Sequence, residues 1–159
     1  MAAEYGYIAE QTIAAGGSAA LNDFTPCQSG LVVHENESPV LTLRGIGNSG
    51  PTCPCRRKDF VQYRITANGN ISIPDGGTLG PISVAFTLNG IIIPASQVIL
   101  TPGALGDFNP FSIDKLVPAT LGTSPSFALS NVLPGLTTTE TGQAIVMRNL
   151  NIIVDRVND

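Results

Sequence analysis

His34 is the residue best suited to proton transfer, because it is the single histidine and imidazole titrates near neutral pH. It follows the apolar residues 31–33 and precedes Glu35. A general base needs a nucleophile, and neither Ser29-Gly30 nor Ser49-Gly50 belongs to a Gly-x-Ser-x-Gly nucleophile elbow. We therefore expect an ordinary histidine at a strand end, no catalytic residue, and a protein that is not an enzyme.

The three cysteines are the other candidates for chemistry. Cys53-Pro54-Cys55 has one intervening residue, whereas zinc knuckles and thioredoxin-like sites have two. Cys27 and His34 could complete a tetrahedral set with this pair, but nothing in the sequence requires the four to meet. An odd number of thiols also excludes a complete disulfide framework within one chain. The sequence favours inert thiols over a thiol contact between chains or a zinc site, and predicts no metal and no cofactor.

Two further patterns partly resemble a calcium-binding loop and a phosphate-binding loop, but neither matches completely. The acid pairs Glu35/Glu37 and Asp107/Asp114 lack the acid-x-acid-x-acid-Gly register of a calcium loop. Residues 45–50 have a Gly-x-Gly-x-x-Gly outline, but no helix follows whose N-terminus could hold a phosphate. Both segments are predicted to be turns or loops.

The shortage of charge is the strongest signal in the composition. Charged residues form 13% of the chain, against about 25% in ordinary soluble domains. Residues 76–106 and 116–139 carry no charge at all. Prolines interrupt both stretches, so neither holds the roughly 20 apolar residues of a membrane-spanning helix. The sequence predicts β-structure, no membrane contact, and a surface too poor in charge for a free monomer.

Charge balance and the N-terminus limit the partners and the location. The net charge of −4 argues against an electrostatic nucleic-acid partner, and the one basic cluster, residues 56–58, falls in the predicted long loop 44–59. Glu4 stands where a signal peptide has lysine or arginine, and no apolar core follows. We expect synthesis and assembly in a cytoplasm.

Short apolar segments of period two lie between seventeen glycines and twelve prolines, which is typical of a β-sandwich or barrel. Residues 60–67 alternate most clearly. Their shared face would hold Val61, Tyr63, Ile65 and Ala67. Asn89-Gly90, between two apolar runs, predicts a type I′ hairpin. The predicted strands are residues 11–14, 19–23, 31–34, 40–43, 60–67, 70–73, 82–88, 91–93, 97–100, 126–131 and two halves of 143–157.

No repeat or linker divides the chain, so we expect one domain over residues 1–159. Residues 1–20 are either an attachment arm that orders on docking or an ordinary first strand. The arm's contact candidates are Tyr5, Tyr7 and Ile8. Residues 108–116 could form one helical turn, which Pro110 and Pro118 would limit.

Three segments resemble the jelly-roll heads of the tumour-necrosis-factor and complement-globular-head superfamily. They are YRITANGNIS (63–72), GPISVAFTLNGIIIP (80–94) and LNIIVDRV (150–157). They are most similar to compact heads of collagen-like spore-surface glycoproteins and to small proteins encoded near capsid genes in phages of gut bacteria. Residues 11–21 and 40–45 are also similar to the phage-encoded members, and the chain has no collagen-like Gly-X-Y stalk. The resemblance spans most of the chain except residues 104–124.

The resemblance implies an all-β, antiparallel, TNF-like jelly-roll sandwich that forms a homotrimer without catalytic activity. The implied function is a phage virion structural protein, a late protein serving as a head fibre or capsid decoration on the outside of the head. Its implied partners are its own copies and other virion proteins such as the major capsid protein or a second fibre protein, with a host surface glycan as a further candidate. The alternatives are a surface adhesin or lectin-like module that binds host glycans, and a spore or cell-surface filament subunit.

Apolar residues on both parities of residues 150–157 support self-association, because a strand with one wet face should alternate with polar residues. Residues 83–93 show the same two-sided pattern. One face would then meet the core and the other the neighbouring subunits. The predicted trimer-interface residues are Tyr63, Ile65, Phe86, Leu88, Ile92, Ile153 and Val157.

Overall fold

A computed structural model describes residues 2–25, 30–35, 37–46, 60–134 and 142–157. Nearly all regular structure in these ranges is β. The elements are β1 (Ala2–Tyr7), β2 (Gln11–Ile13), β3 (Asp23–Thr25), β4 (Val32–His34), β5 (Leu41–Leu43), β6 (Phe60–Ser72), β7 (Ile82–Leu88), β8 (Ile91–Ile92), a 3₁₀ turn (Pro94–Ser96), β9 (Val98–Leu100), β10 (Asn109–Thr120), β11 (Ser126–Val132) and β12 (Ile145–Arg156).

The strands form two antiparallel sheets. Sheet 1 has the order β10-β6-β12-β1-β3, with β2 also pairing β12. Sheet 2 has the order β4-β5-β11-β7-β8, with β9 also pairing β7. The first strand pairs with the last, and strands adjacent in sequence mostly lie apart, as in a jelly roll rather than a meander. The predicted all-β jelly-roll sandwich is therefore confirmed, while the homotrimer stays a prediction.

The core fills the space between the sheets with inward-facing apolar side chains. Residues 61, 63, 65 and 67 of β6 are all buried, which confirms the predicted shared face. From sheet 2, the rings of Phe86 and Phe127 meet edge to face with centroids 4.8 Å apart. Each fully buried aliphatic or phenylalanine side chain contributes about 1.5–3 kcal/mol, so this layer holds the two sheets together.

The N-terminal segment is an integral strand. β1 lies between β12 and β3, and Ala3 and Tyr5 on its inward parity belong to the core. The attachment-arm prediction is therefore wrong for Tyr5, whose side chain the chain itself already covers. Tyr7 is partly buried against the core, and Ile8 is exposed beyond the strand end.

Residues 109–120 form the strand β10 and not a helical turn. β10 pairs along its whole length with β6, and its other side carries no strand within the described residues. Proline is tolerated in such edge strands because the amide hydrogen it lacks would not be needed there. Pro110 and Pro118 therefore do not break the strand.

The sequence predicts a break between the strands 60–67 and 70–73 and another within residues 143–157. Neither break is present, because flanking strands hold the backbone extended. β6 continues through Asn68-Gly69, pairing with β10 on one side and β12 on the other. The two halves predicted for residues 143–157 are one strand, β12, with a register shift between Arg148 and Asn151. Asn149 takes a positive φ of 55° in this bulge, a conformation that asparagine tolerates.

The hairpin between β7 and β8 confirms the turn predicted at Asn89-Gly90. Both residues have positive φ, 51° and 78°, as a type I′ turn requires, and Leu88 pairs with Ile91. The Asn89 side-chain oxygen accepts a hydrogen bond from the Ser126 amide at 2.9 Å. The turn is thereby tied to the start of β11.

Gly90→Ala should destabilise the protein by about 1–2 kcal/mol, because alanine resists a positive φ. An added Cβ would meet nothing within 4 Å, so the cost is one of backbone conformation alone. Gly80→Ala is the matched control, since its Cβ also enters open space but its φ is not positive. Urea unfolding should show the control neutral or slightly stabilised; equal losses in both variants would contradict the turn assignment.

Candidate assembly surface and groove

The outer face of sheet 1 is the side turned away from sheet 2. Strand alternation places on it the side chains that do not enter the core, and the strand register aligns them in rows. Two central rows are Leu116–Arg64–Asp155 and Asp114–Thr66–Ile153–Glu4.

Four apolar side chains are exposed on this face and are called here the apolar patch. The exposed fractions are 46% for Phe60, 50% for Leu116, 39% for Ile153 and 38% for Val157. They come from β6, β10 and β12 or the residue just beyond β12, which are neighbouring strands. Single exposed apolar residues are ordinary, but several on one sheet face are typical of an interaction surface.

An ion pair lies among these apolar residues. Arg64 donates to both carboxylate oxygens of Asp114, from Nε to Oδ1 at 3.1 Å and from Nη2 to Oδ2. The hydrogen bond to Asp114 raises the pKa of Arg64, and the same bond lowers the pKa of the Asp114 carboxyl. The Asp114 carboxyl thus has a lower pKa in the folded state than in the unfolded state. The ion pair therefore stabilises the fold at pH values above the unfolded-state pKa, and this stabilisation is lost as the pH falls through the folded-state pKa.

In the isolated chain both partners of this ion pair are exposed, so water screens most of the interaction. Its consequence for assembly is different. Because the two charges are already paired within one chain, a neighbouring copy could cover this part of the face without leaving either charge alone.

The opposite end of the outer face is polar. Its row Ser112–Asn68–Asn151–Gly6–Asp23 carries amide, hydroxyl and carboxylate groups. At the corner formed by β1 and β3 lies a groove of about 190 Å³. It is lined by Glu4, Gly6, Tyr7, Ile8, Asp23, Phe24, Thr25, Leu150 and Asn151.

The seven predicted interface residues do not share one surface. Tyr63, Ile65 and Phe86 are wrong as interface candidates, because their side chains are fully buried in the chain's own core. Leu88 and Ile92 are half-buried in sheet 2. Only Ile153 and Val157 lie on the outer face of sheet 1.

Phe60 and Leu116 were missed as members of the apolar patch. The alternation of residues 60–67 contained the signal for Phe60, since it has the parity opposite to Val61 and Tyr63. For Leu116 no such signal existed until the segment around it was known to be a strand.

His34 ends β4, as the sequence predicts. Its Nε2–H donates to the Ser38 carbonyl oxygen at 2.9 Å, and its ring meets those of Tyr5 and Phe24 edge to face at 5.4 and 5.7 Å. Its Nδ1 is buried and makes no hydrogen bond within the described part of the chain. The ring therefore packs as part of the sandwich edge.

The remaining candidate sites give no cluster in the described ranges. Cys27, Cys53 and Cys55, with most of the loop 44–59, lie outside them. Among the residues that the structure describes, no three His, Cys, Asp or Glu side chains are grouped as metal ligands. The same residues contain no helix long and apolar enough to cross a membrane.

The sandwich is similar in fold to several solved structures. The globular domain of a zebrafish complement 1qA protein matches at a TM-score of 0.47 and 8% identity, over 95% of this chain and 94% of that one. The sugar-binding EclA C-terminal domain matches at 0.35 and 14%, over 80% and 86%. A xylan-binding CBM22-1 domain of Xyn10C from Paenibacillus barcinonensis matches at 0.37 and 14%, over 98% and 94%.

No protein-family model matches the sequence, and no curated protein matches it. The structural likenesses concern the β-sandwich fold. What the three proteins bind is their own property.

Proposed function

We propose that this chain is a non-catalytic structural subunit that forms a homotrimer through the outer face of sheet 1, on the exterior of a phage head as a fibre or decoration protein. The observation that supports assembly is the apolar patch on a chain with only 13% charged residues. The virion location rests on the sequence resemblance of residues 63–72, 80–94 and 150–157.

An interface of standard size on the outer face of sheet 1 would supply enough free energy for a stable assembly. A standard interface buries about 800 Å² per partner with close to 60% apolar area. At about 25 cal/mol per Å², this corresponds to on the order of 10 kcal/mol per subunit before association costs. Such a contribution is comparable with the whole folding stability of a domain, about 5–15 kcal/mol.

A threefold arrangement would leave most of sheet 2 and the connecting loops on the outside of the trimer. The strands of sheet 2 contain no Asp, Glu, Lys or Arg, which suits contact with the major capsid protein or a second fibre protein. Cyclic symmetry also closes the assembly, so that the apolar patch of every copy is covered and no open filament grows.

Multi-angle light scattering tests the oligomeric state. We expect a mass of about three times 16.5 kDa at micromolar concentration. A stable monomer of 16.5 kDa would contradict the trimer. Mass spectrometry of purified phage particles tests the location separately, since a trimer that is absent from the particles would refute the virion role alone.

A second candidate function is a lectin-like or adhesin-like module. The groove at the β1–β3 corner favours it, because the groove combines carboxylate, amide and hydroxyl groups in one concave site. A glycan array separates the two functions: reproducible binding to a defined glycan favours the lectin-like module, and co-purification with intact heads favours the structural subunit.

A further inference from the structure

We propose that the groove at the β1–β3 corner binds a single neutral sugar residue of a glycan through its vicinal hydroxyl groups. The inference rests on the second candidate function and is independent of trimer formation. It is carried by the way the groove is built, by its polar groups and by its size.

Gly6 makes the floor of the groove. In the strand register it lies between Asp23 of β3 and Asn151 of β12. A Cβ at this position would come within 2.9 Å of the Leu150 carbonyl oxygen, so the close approach of β1 and β12 requires glycine. Without a side chain at the centre of the row, a depression is left between Glu4, Asp23 and Asn151.

The rim beside Gly6 is fixed by hydrogen bonds. The Asn22 amide donates to the Gly6 carbonyl oxygen at 2.9 Å, and the Ile8 amide donates to the Asn22 side-chain oxygen at 3.0 Å. These bonds place Ile8 at the edge of the groove with 77% of its surface exposed. Ile8 thus offers an apolar contact for the C–H face of a sugar ring.

The polar groups converge on the depression. The Asn151 side-chain amide donates to Glu4 Oε1, which fixes the orientation of that carboxylate. Asp23 and Thr25 neighbour it on β3, with Thr25 opposite Glu4 in the register. Carboxylate oxygens accept hydrogen bonds from neighbouring sugar hydroxyls, and a threonine hydroxyl can donate or accept. This set matches the alternating donors and acceptors of a sugar ring.

Size and charge narrow the ligand class. The volume of about 190 Å³ is smaller than the about 300–1,000 Å³ of drug-sized pockets, so it suits one ring. Two carboxylates disfavour acidic sugars such as sialic or uronic acids by like-charge repulsion. Neutral sugars avoid this penalty.

Two aromatic residues, Tyr7 and Phe24, line the groove. The Phe24 ring is 44% exposed and also packs edge to face against His34. We expect the affinity for one sugar residue to be in the millimolar range. A glycan would gain strength from several copies of the site in one assembly.

The apolar patch borders the groove at one point. Phe60, Leu116 and Val157 lie toward the end of sheet 1 where Phe60 pairs with Thr120, whereas Gly6 and Asp23 lie at the opposite corner. Ile153 pairs with the groove residue Glu4, so a trimer formed through the patch would approach the groove on its Glu4 side.

Titration of the full chain by two-dimensional amide NMR tests the site. The probes are the methyl glycosides of glucose, galactose, mannose and N-acetylglucosamine, up to about 50 mM because the expected affinity is millimolar. We expect at least one glycoside to shift the amides of residues 6–8, 23–25 and 151. Asp23→Asn and Glu4→Gln, which keep size and fold, should weaken this binding at least tenfold. Asp75→Asn, which changes an exposed carboxylate in the turn after β6 that does not line the groove, should leave the binding unchanged.

Three outcomes would overturn the proposal. The first is that no glycoside shifts these amides. The second is that binding survives both groove variants. The third is that the shifts are produced only by lysine and arginine methyl esters or by calcium ions, which would make the groove a cation site. Sedimentation of the same samples reports the oligomeric state, so failure of sugar binding and failure of trimer formation are distinguishable. Binding without trimers would leave the groove assignment intact.

Discussion

Ile153→Asp should convert the proposed homotrimer to monomers, lowering the mass seen by light scattering from about three times 16.5 kDa to 16.5 kDa. Ile153 lies in the central row of the outer face of sheet 1 and pairs across the strands with Glu4 and Thr66. An aspartate there would place a second carboxylate beside Glu4, and burying it in an interface costs several kcal/mol. About 3 kcal/mol per interface corresponds to a more than hundredfold weaker association.

The fold itself should survive this substitution, because the Ile153 side chain is 39% exposed in the single chain and points away from the core. Circular dichroism should therefore be unchanged. Ile91→Asp is the matched control, since Ile91 is 73% exposed on β8 of sheet 2, far from the apolar patch. If Ile91→Asp dissociated the assembly and Ile153→Asp did not, the interface would lie on sheet 2.

Alternation and turn chemistry carried most of the fold prediction. Residues 82–88 form β7 as predicted, and Ser126–Val132, Leu41–Leu43 and Val98–Leu100 lie within one or two residues of their predicted bounds. Residues 82–88 lie between Pro81 and Asn89-Gly90, so local preference and tertiary structure agree on the bounds of β7. The Asn89-Gly90 turn was predictable because few other dipeptides accept two positive φ values.

β10 was missed, and β1 was only one of the two alternatives for residues 1–20; both strands owe their conformation to their neighbours. β1 begins with small residues that have little strand preference, and it is extended because β12 and β3 pair with it on both sides. β10 contains two prolines that locally discourage a strand, yet both sit on an edge where the missing amide is harmless. Which strands pair with a segment, and whether it lies at a sheet edge, depends on the whole topology. The local sequence therefore could not show that β1 is paired on both sides or that β10 is an edge strand.

The candidate surfaces were predictable only in part for a related reason. Apolar residues on both parities of β12 indicated two covered faces, but which parity meets the core depends on the sheet that packs against it. Tyr63 and Ile65 were therefore placed at an interface although they are core residues, while Phe60 was passed over. The groove depends on Gly6 and Asp23 becoming neighbours through the β1–β3 pairing, which no pattern of spacing encodes.

Asn131 is the polar residue that most strongly connects the two sheets. It lies in β11 of sheet 2 with 4% of its surface exposed. Its side-chain Nδ2 donates to the carbonyl oxygens of Ile13 at 3.2 Å, Ala14 at 3.3 Å and Gln143 at 2.8 Å. Ile13 ends β2, and Gln143 shortly precedes β12, so one amide holds both segments of sheet 1 against sheet 2. Gly16 and Gly17 add main-chain bonds to the same residue.

Asn131→Asp should destabilise the protein by about 3 kcal/mol or more at neutral pH, because it removes the donor and points a buried carboxylate at three carbonyl oxygens. Burial among carbonyl oxygens should raise the folded-state pKa of the new carboxyl group above its unfolded-state value of about 3.9, so the loss should shrink as the pH falls toward about 4, where the protonated group can again donate one bond. Asn149→Asp is the matched control: Asn149 is exposed, and aspartate also accepts its positive φ. Urea unfolding at one protein concentration should show the control within about 0.5 kcal/mol of the native chain. Equal stability of Asn131→Asp and the control at neutral pH would mean that the two sheets are held together by apolar packing alone.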